Sequence, residues 1–344
     1  MPARLDSNQT SQPPASNLAR RVSLGLLFGF AVLLVLALVG DLRQVSARML
    51  AFYWALFPAV LGLTLFNYTL RFFKWHYYLR QIGVRNLPLL HSARLFVAGF
   101  PLAVTPGKAG EVLKGVWLRQ AAGIPAARGV SVVIAERVSD GLAVMALSTL
   151  GVFAYPQYWP AFAFILAVLL GVVVVSQIRP LALRLLGLGE NLPLVRRFAH
   201  NLREFYEGSF ALFRPRVTLL AVGLGTVSWL GEGLGMYLVL LGLGVPPGWE
   251  ALSVGVFALS FSVAIGAAST LPGGLGASEA TIALILSLAL SLDNSIAAAA
   301  TLLIRFATLW FGVSLGLAVW AFSPHLLGLA AAKTPAAQQE GEPK

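Results

Sequence analysis

Nine ionisable residues stand in stretches that are otherwise strongly apolar: Lys108, Glu111, Lys114, Glu136, Arg137, Asp140, Glu232, Glu279 and Arg305. A charge within a hydrocarbon layer is costly, so each is by default a candidate for substrate contact or proton transfer. Glu136 and Asp140 are four apart and share one face of a helix, with Arg137 about 100° around it. Glu111 precedes Arg137 by 26 residues and Glu279 precedes Arg305 by the same 26. Both couples are expected to form ion pairs, because a buried charge without a partner costs several kcal/mol.

Each couple sits beside a turn. Pro106-Gly107-Lys108-Ala109-Gly110 runs into Glu111, and Pro272-Gly273-Gly274-Leu275-Gly276 precedes Glu279. Such turns are expected to expose backbone N–H groups and the N-termini of half-helices toward a polar cavity, an arrangement suited to anions. On this reading Lys108, Arg137 and Arg305 bind an anionic headgroup, while Glu111, Asp140 and Glu279 accept protons or a cationic moiety. The competing reading is structural: the pairs tie the turns to neighbouring helices. Glu232 lies among Gly231, Gly233 and Gly235, where helices approach closely, and reads as a packing or proton-relay residue, with Glu136 a second possible relay.

Other chemistries lack their residues. His76, His91, His200 and His325 are scattered without ligand spacing, so no metal site and no cofactor is expected. The chain has no Cys, hence no thiolate nucleophile or disulfide. G-x-S-x-G, P-loop and H-E-x-x-H patterns are missing, and without an ATP-binding element any driving force must be a gradient or the substrate's own.

The elements that must position these residues are membrane helices. Of 344 residues, 58% are hydrophobic and only 11% charged, against roughly a quarter charged in soluble domains. Uncharged or nearly uncharged runs at 22–40, 49–70, 130–155, 159–177, 217–241 and 295–322 are long enough to span about 30 Å of hydrocarbon. Two further regions, 95–118 and 251–292, hold short apolar pieces broken by the Pro/Gly turns and read as re-entrant or broken hairpins, tolerated where irregular backbone is buried in protein or lines a cavity. The net charge of +11 falls mainly in alternate connections, before 22, at 71–94 and at 178–216. It therefore reads as cytoplasmic loops meeting anionic lipid rather than as nucleic-acid binding, with both termini cytoplasmic in the cell membrane. The run Arg71-Phe72-Phe73-Lys74-Trp75-His76-Tyr77-Tyr78 reads as an interfacial anchor, and 178–216 as a basic amphipathic element on the cytoplasmic surface.

The chain also repeats itself. Pro-Gly-x-x-Gly occurs twice, 166 residues apart, and Val97-Ala98 recurs as Val263-Ala264 at the same offset; composition alone predicts about 0.2 occurrences of the five-residue pattern. The run 49–70 shifts onto 217–241 within a few residues. The expected fold is all-α: a polytopic membrane protein of two inverted-topology repeats, each of three spans plus one hairpin. The expected organisation is a disordered tail 1–20, a first repeat 21–156, a second repeat 157–323 and a tail 324–344.

Thr105-Pro106-Gly107-Lys108-Ala109-Gly110-Glu111-Val112-Leu113-Lys114, then Glu136-Arg137-Val138-Ser139-Asp140-Gly141, then Leu271-Pro272-Gly273-Gly274-Leu275-Gly276-Ala277-Ser278-Glu279-Ala280 resemble the marks of the lysylphosphatidylglycerol synthase transmembrane family, over about 22–322. The resemblance is to the flippase half of the multiple-peptide-resistance factor, without the soluble aminoacyl-transferase domain expected after Phe322. It implies translocation of an anionic or aminoacylated phospholipid, or a lipid-linked substrate, between leaflets, with membrane lipids as partners. Three alternatives stay open: an intramembrane enzyme using Glu136, Arg137 and Asp140 on a polyprenyl-phosphate or phospholipid, a small-solute secondary transporter, and a membrane scaffold.

Overall fold

The structure, a computed structural model, describes residues 15–105, 110–152, 159–180, 184 and 193–323. Pro106, Gly107 and Lys108 of the first turn lie outside the described residues, as do part of the basic segment and most of both tails. Every regular element among the described residues is helical. Seven helices there are long and apolar enough to cross a bilayer: Arg20–Val39, Trp54–Gln81, Trp159–Gln177, Pro215–Gly242, Trp249–Ala268, Pro272–Ala289 and Asn294–Phe322. The chain is a polytopic all-α membrane protein.

In order, α1 is Ala15–Val39, α2 Leu42–Leu50, α3 Phe57–Gln81, α4 Leu89–Ala98, α5 Leu113–Ala122, α6 Ala126–Val152 and α7 Trp159–Gln177. There follow α8 Pro193–Leu212, α9 Pro215–Gly242, α10 Trp249–Ala268, α11 Ala277–Ala289 and α12 Asn294–Phe322, the last interrupted by a π-helical turn at Phe306–Trp310. Local chemistry sets these ends. Pro58 and Pro215 sit in first turns, where a missing N–H costs nothing. Asp41 caps α2 by accepting from the Arg43 N–H, and Gly123 closes α5 with φ +69°.

Three boundaries differ from the sequence reading. The run expected from 49 is two elements, with α2 ending at Leu50 and a 3₁₀ turn at Trp54–Leu56 leading into α3. α1 begins at Ala15, inside the segment expected as a disordered tail. The aromatic and basic run after Leu70 is not an interfacial anchor: α3 continues through it to Gln81, with Arg71, Lys74, Trp75 and Tyr78 buried. The pieces expected at 95–118 and 251–292 appear as α4 and α5, and as α10 and α11.

Helix contacts place the ends. The start of α6 is tied to α8 by Arg128 and Glu204, 2.6 Å apart, and the end of α7 by Gln177, whose amide donates to the Phe210 carbonyl at 3.1 Å. At the other end, the Tyr53 N–H donates to Gly242 O at 2.9 Å, and Arg48 of α2 approaches Asp293, just before α12, at 3.8 Å. Apart from a smaller cluster where α1, α2 and α12 meet, the core lies in two apolar clusters. One, on the α2 side, gathers Val60, Val144, Met236, Val256, Phe257 and Ile304. The other, on the α8 side, gathers Trp75, Leu79, Phe96, Trp117, Val132 and Leu212. Between them α3, α6 and α9 carry their polar residues near mid-helix.

Candidate functional site

That polar layer surrounds a cavity of about 190 Å³. Its charged wall consists of Arg71 from α3, Glu111 and Lys114 at the start of α5, Arg137 and Asp140 from α6, Glu232 from α9 and Arg305 from α12. The carbonyl side of Gly273 and the Ser278 region of α11 close it from the second turn. Residues far apart in sequence, on both sides of the expected repeat boundary, thus share one enclosure.

Both expected couples form. Arg137 Nε lies 3.0 Å from Glu111 Oε2, with about a third of the Arg137 side chain exposed. Arg305 Nε donates to Glu279 Oε1 at 2.6 Å, and both side chains are buried. The second couple carries further bonds to its turn. Glu279 Oε2 accepts from the Gly276 N–H at 2.7 Å, capping α11, and Arg305 Nη2 donates to the Gly273 carbonyl at 3.2 Å. Part of the turn's backbone is already engaged. Gly276 N–H is used by Glu279, Gly274 N–H bonds Leu271 O and Leu275 N–H bonds Pro272 O, so the turn meets Arg305 with a carbonyl. The turn needs glycine for another reason: Gly273, Gly274 and Gly276 have φ of +62°, +68° and +87°. At the first turn, the Gly110 N–H donates to Thr105 Oγ1 at 2.9 Å.

Glu136 and Asp140 occupy one buried face of α6 and take different partners. Lys114 Nζ is 3.4 Å from Glu136 Oε2 and lies over the rings of Trp75 and Phe96, at 5.1 and 5.4 Å from their centroids. Asp140 receives Lys74 Nζ directly and has Arg71 Nε 3.4 Å away; Lys74 also donates to Ser139 Oγ at 3.2 Å. Arg71 in turn packs over the Trp229 ring, 5.5 Å from its centroid. Glu232 lines the cavity with 4% of its surface exposed, so it is a wall residue as well as a member of a close-packed helix.

Arg71 and Lys74 were not among the residues read as functional from the sequence. Their signal was there: Thr64, Asn67, Arg71, Lys74 and Tyr78 follow a 3-4-3-4 spacing that puts them on one stripe of α3. All five are buried. The surrounding aromatics and the flanking Arg80 masked the stripe as a headgroup-level segment.

A second opening lies outside the cavity. A groove of about 540 Å³ runs between α1, α11 and α12, walled by side chains such as Phe28, Val32, Val35, Ala280, Leu284 and Ala297. Glu279 is its main charged lining residue. Because Glu279 holds Arg305, the groove and the cavity meet at one ion pair.

The family model described as the lysylphosphatidylglycerol synthase TM region matches residues 22–316. A "UPF0104 membrane protein" of Methanothermobacter thermautotrophicus is 26% identical over 310 residues, covering 84% of this chain and 90% of that protein.

Proposed function

The chain belongs to the family of the lysylphosphatidylglycerol synthase TM region, and from that premise we propose that it translocates an anionic or aminoacylated phospholipid, or a lipid-linked substrate, between bilayer leaflets. One observation carries the proposal: a mid-depth cavity bearing both signs of charge meets an apolar, outward-facing groove at the Glu279–Arg305 pair. A lipid in transit has two incompatible parts. Its phosphate, with or without an amine, needs fixed opposite charges away from the hydrocarbon, while its acyl chains need to stay in it. The cavity suits the first part through Arg71, Arg137 and Arg305 for phosphate and Glu111 and Asp140 for a cationic group. The groove suits the second. From Gly276 to Ser287 along α11 it covers about 16 Å, close to half the hydrocarbon thickness of about 30 Å. A free small solute has no use for such a groove, which favours lipid over solute.

The mechanism follows from the paired turns. The two 26-residue Glu–Arg couples, with Arg137 and Arg305 each eleven residues into helices that start at opposite ends of the bundle, support an inverted repeat working around one site. Opening one couple and then the other would give the headgroup access from each leaflet in turn. On the Lys and Arg bias we take the α8 end, with both termini, as cytoplasmic.

Purified protein in phosphatidylcholine liposomes containing a fluorescent phosphatidylglycerol tests the proposal, with membrane-impermeant quenching reporting the outer-leaflet fraction. The wild type is expected to accelerate exchange of the probe between leaflets. Glu279→Gln and Arg305→Ala, each checked for folding, should slow it by about tenfold or more, the equivalent of 1.4 kcal/mol. Exchange at the wild-type rate in both variants removes these residues from the mechanism.

A further inference from the structure

Glu232 differs from the other buried carboxylates of the polar layer. Glu111, Glu136, Asp140 and Glu279 each have a Lys or Arg nitrogen within 4 Å. Among the described residues Glu232 has no such pair, although it is buried and lines the cavity. It shares the cavity wall with Tyr68 and Arg71 of α3, Asp140 of α6 and Arg305 of α12. From α10, which also packs against α9, the cavity wall is apolar at Leu259 and Val263.

The local charge pattern gives this position a role. Arg71 and Lys74 share Asp140, which leaves one positive charge over on that side, and Glu232 is the carboxylate facing it. While ionised, Glu232 acts as an internal counter-anion and competes with an incoming phosphate for Arg71 and Arg305. Once it takes a proton, that competition ends and the cavity wall can accept an anion in its place. The backbone keeps the carboxylate in position: a Cβ at Gly231 would lie 3.0 Å from Phe66, and one at Gly233 3.0 Å from Val256, so α9 cannot shift freely between α3 and α10. Nearby buried polar atoms without a protein partner, the Asn67 amide, Trp229 Nε1 and Ser260 Oγ, are the kind of groups that hold ordered water, through which a proton can reach the carboxylate.

We propose that Glu232 is a proton-binding site linked to the anion site, so that the protein carries a proton together with each anionic headgroup. This rests on the lipid-translocation reading and extends it by naming the co-transported ion. The proton enters at a Glu232 carboxylate oxygen as the phosphate engages Arg71 and Arg305, and leaves when the phosphate leaves.

The test is proton uptake on binding. Wild-type protein in neutral detergent and weak buffer, at mildly alkaline pH, is titrated with short-chain phosphatidylglycerol while a pH indicator and an independent binding signal are followed. Binding is expected to draw protons from the medium by linkage. Glu232→Gln should bind the lipid at least as well and take up none, while Glu232→Asp and the exposed Glu250→Gln keep the uptake. Binding by the wild type without uptake, or unchanged uptake in Glu232→Gln, overturns the proton proposal and leaves the headgroup site standing. No binding by folded wild type overturns both. In liposomes, an acid compartment on the donor side should speed wild-type flipping and leave Glu232→Gln indifferent; wild-type flipping indifferent to the gradient also sinks the coupling.

Discussion

Glu111–Arg137 and Glu279–Arg305 have the same residue types, the same spacing and the same neighbourhood beside a Pro-Gly-x-x-Gly turn, yet they are held differently. Arg305 is enclosed, donates to both Glu279 and the Gly273 carbonyl, and is followed at once by the π turn of α12. Arg137 stays about a third exposed, within an uninterrupted α6. π turns recur at functional sites, and this one contains Thr308, which shares the cavity wall. The difference teaches that a repeated sequence signature need not produce two equivalent sites. A charge pair becomes a rigid closure when the backbone of its turn supplies further bonds, as the Gly273 carbonyl and the Gly276 N–H do for Arg305 and Glu279. The long helices show the same asymmetry: α3 brings Arg71 and Lys74 to the layer, whereas α9, packed along it, brings Glu232.

The largest effect should come from breaking the enclosed pair. Arg305→Ala leaves a buried carboxylate without its cation and should cost about 3–5 kcal/mol of stability. Arg137→Ala also strands a buried carboxylate but removes a partner that is itself about a third exposed, so it should cost less, about 2–3 kcal/mol. Thermal unfolding of both variants in one detergent checks the contrast, and equal shifts would erase it. Next, Lys74→Met removes the direct partner of Asp140 but leaves Arg71 at 3.4 Å, so about 2–3 kcal/mol is expected. Adding Asp140→Asn should recover most of that loss; a double variant as unstable as the sum of its parts would mean the two do not act as a pair. The smallest effect concerns the turn. At φ +62° Gly273→Ala should cost about 1–2 kcal/mol from backbone strain. The added Cβ would meet Leu275 and Val104 at an ordinary 3.4 Å, so a much larger loss would point to the turn having to move rather than merely to exist.

Reading along the chain located most of the spans, the helix break at the second Pro/Gly turn and both Glu–Arg couples, because each has a local cause. Apolar length marks a span, Pro and Gly end a helix wherever they fall, and a charge in an apolar run demands a partner. The α3 stripe was misplaced for an equally physical reason. Arg, Lys, Trp and Tyr are the residues of a membrane interface and also those of a buried polar seam, and only the depth to which the helix continues separates the two cases. Asp140 shows the same limit. Its helical face was evident from its spacing to Glu136, but its partner, Lys74, lies 66 residues earlier on another helix.

What the sequence determined by itself was an all-helical membrane protein with few intramembrane charges, two of which recur in matched couples beside glycine turns. These follow from hydropathy, helix periodicity and the cost of an unpaired charge, all of which act within a few turns of chain. What only the tertiary structure decided was which cations meet which carboxylates, that the second turn meets Arg305 with the Gly273 carbonyl, and that cavity and groove meet at Glu279. Those outcomes depend on how helices pack, and packing is settled by distances between segments that the order of residues along the chain does not encode locally.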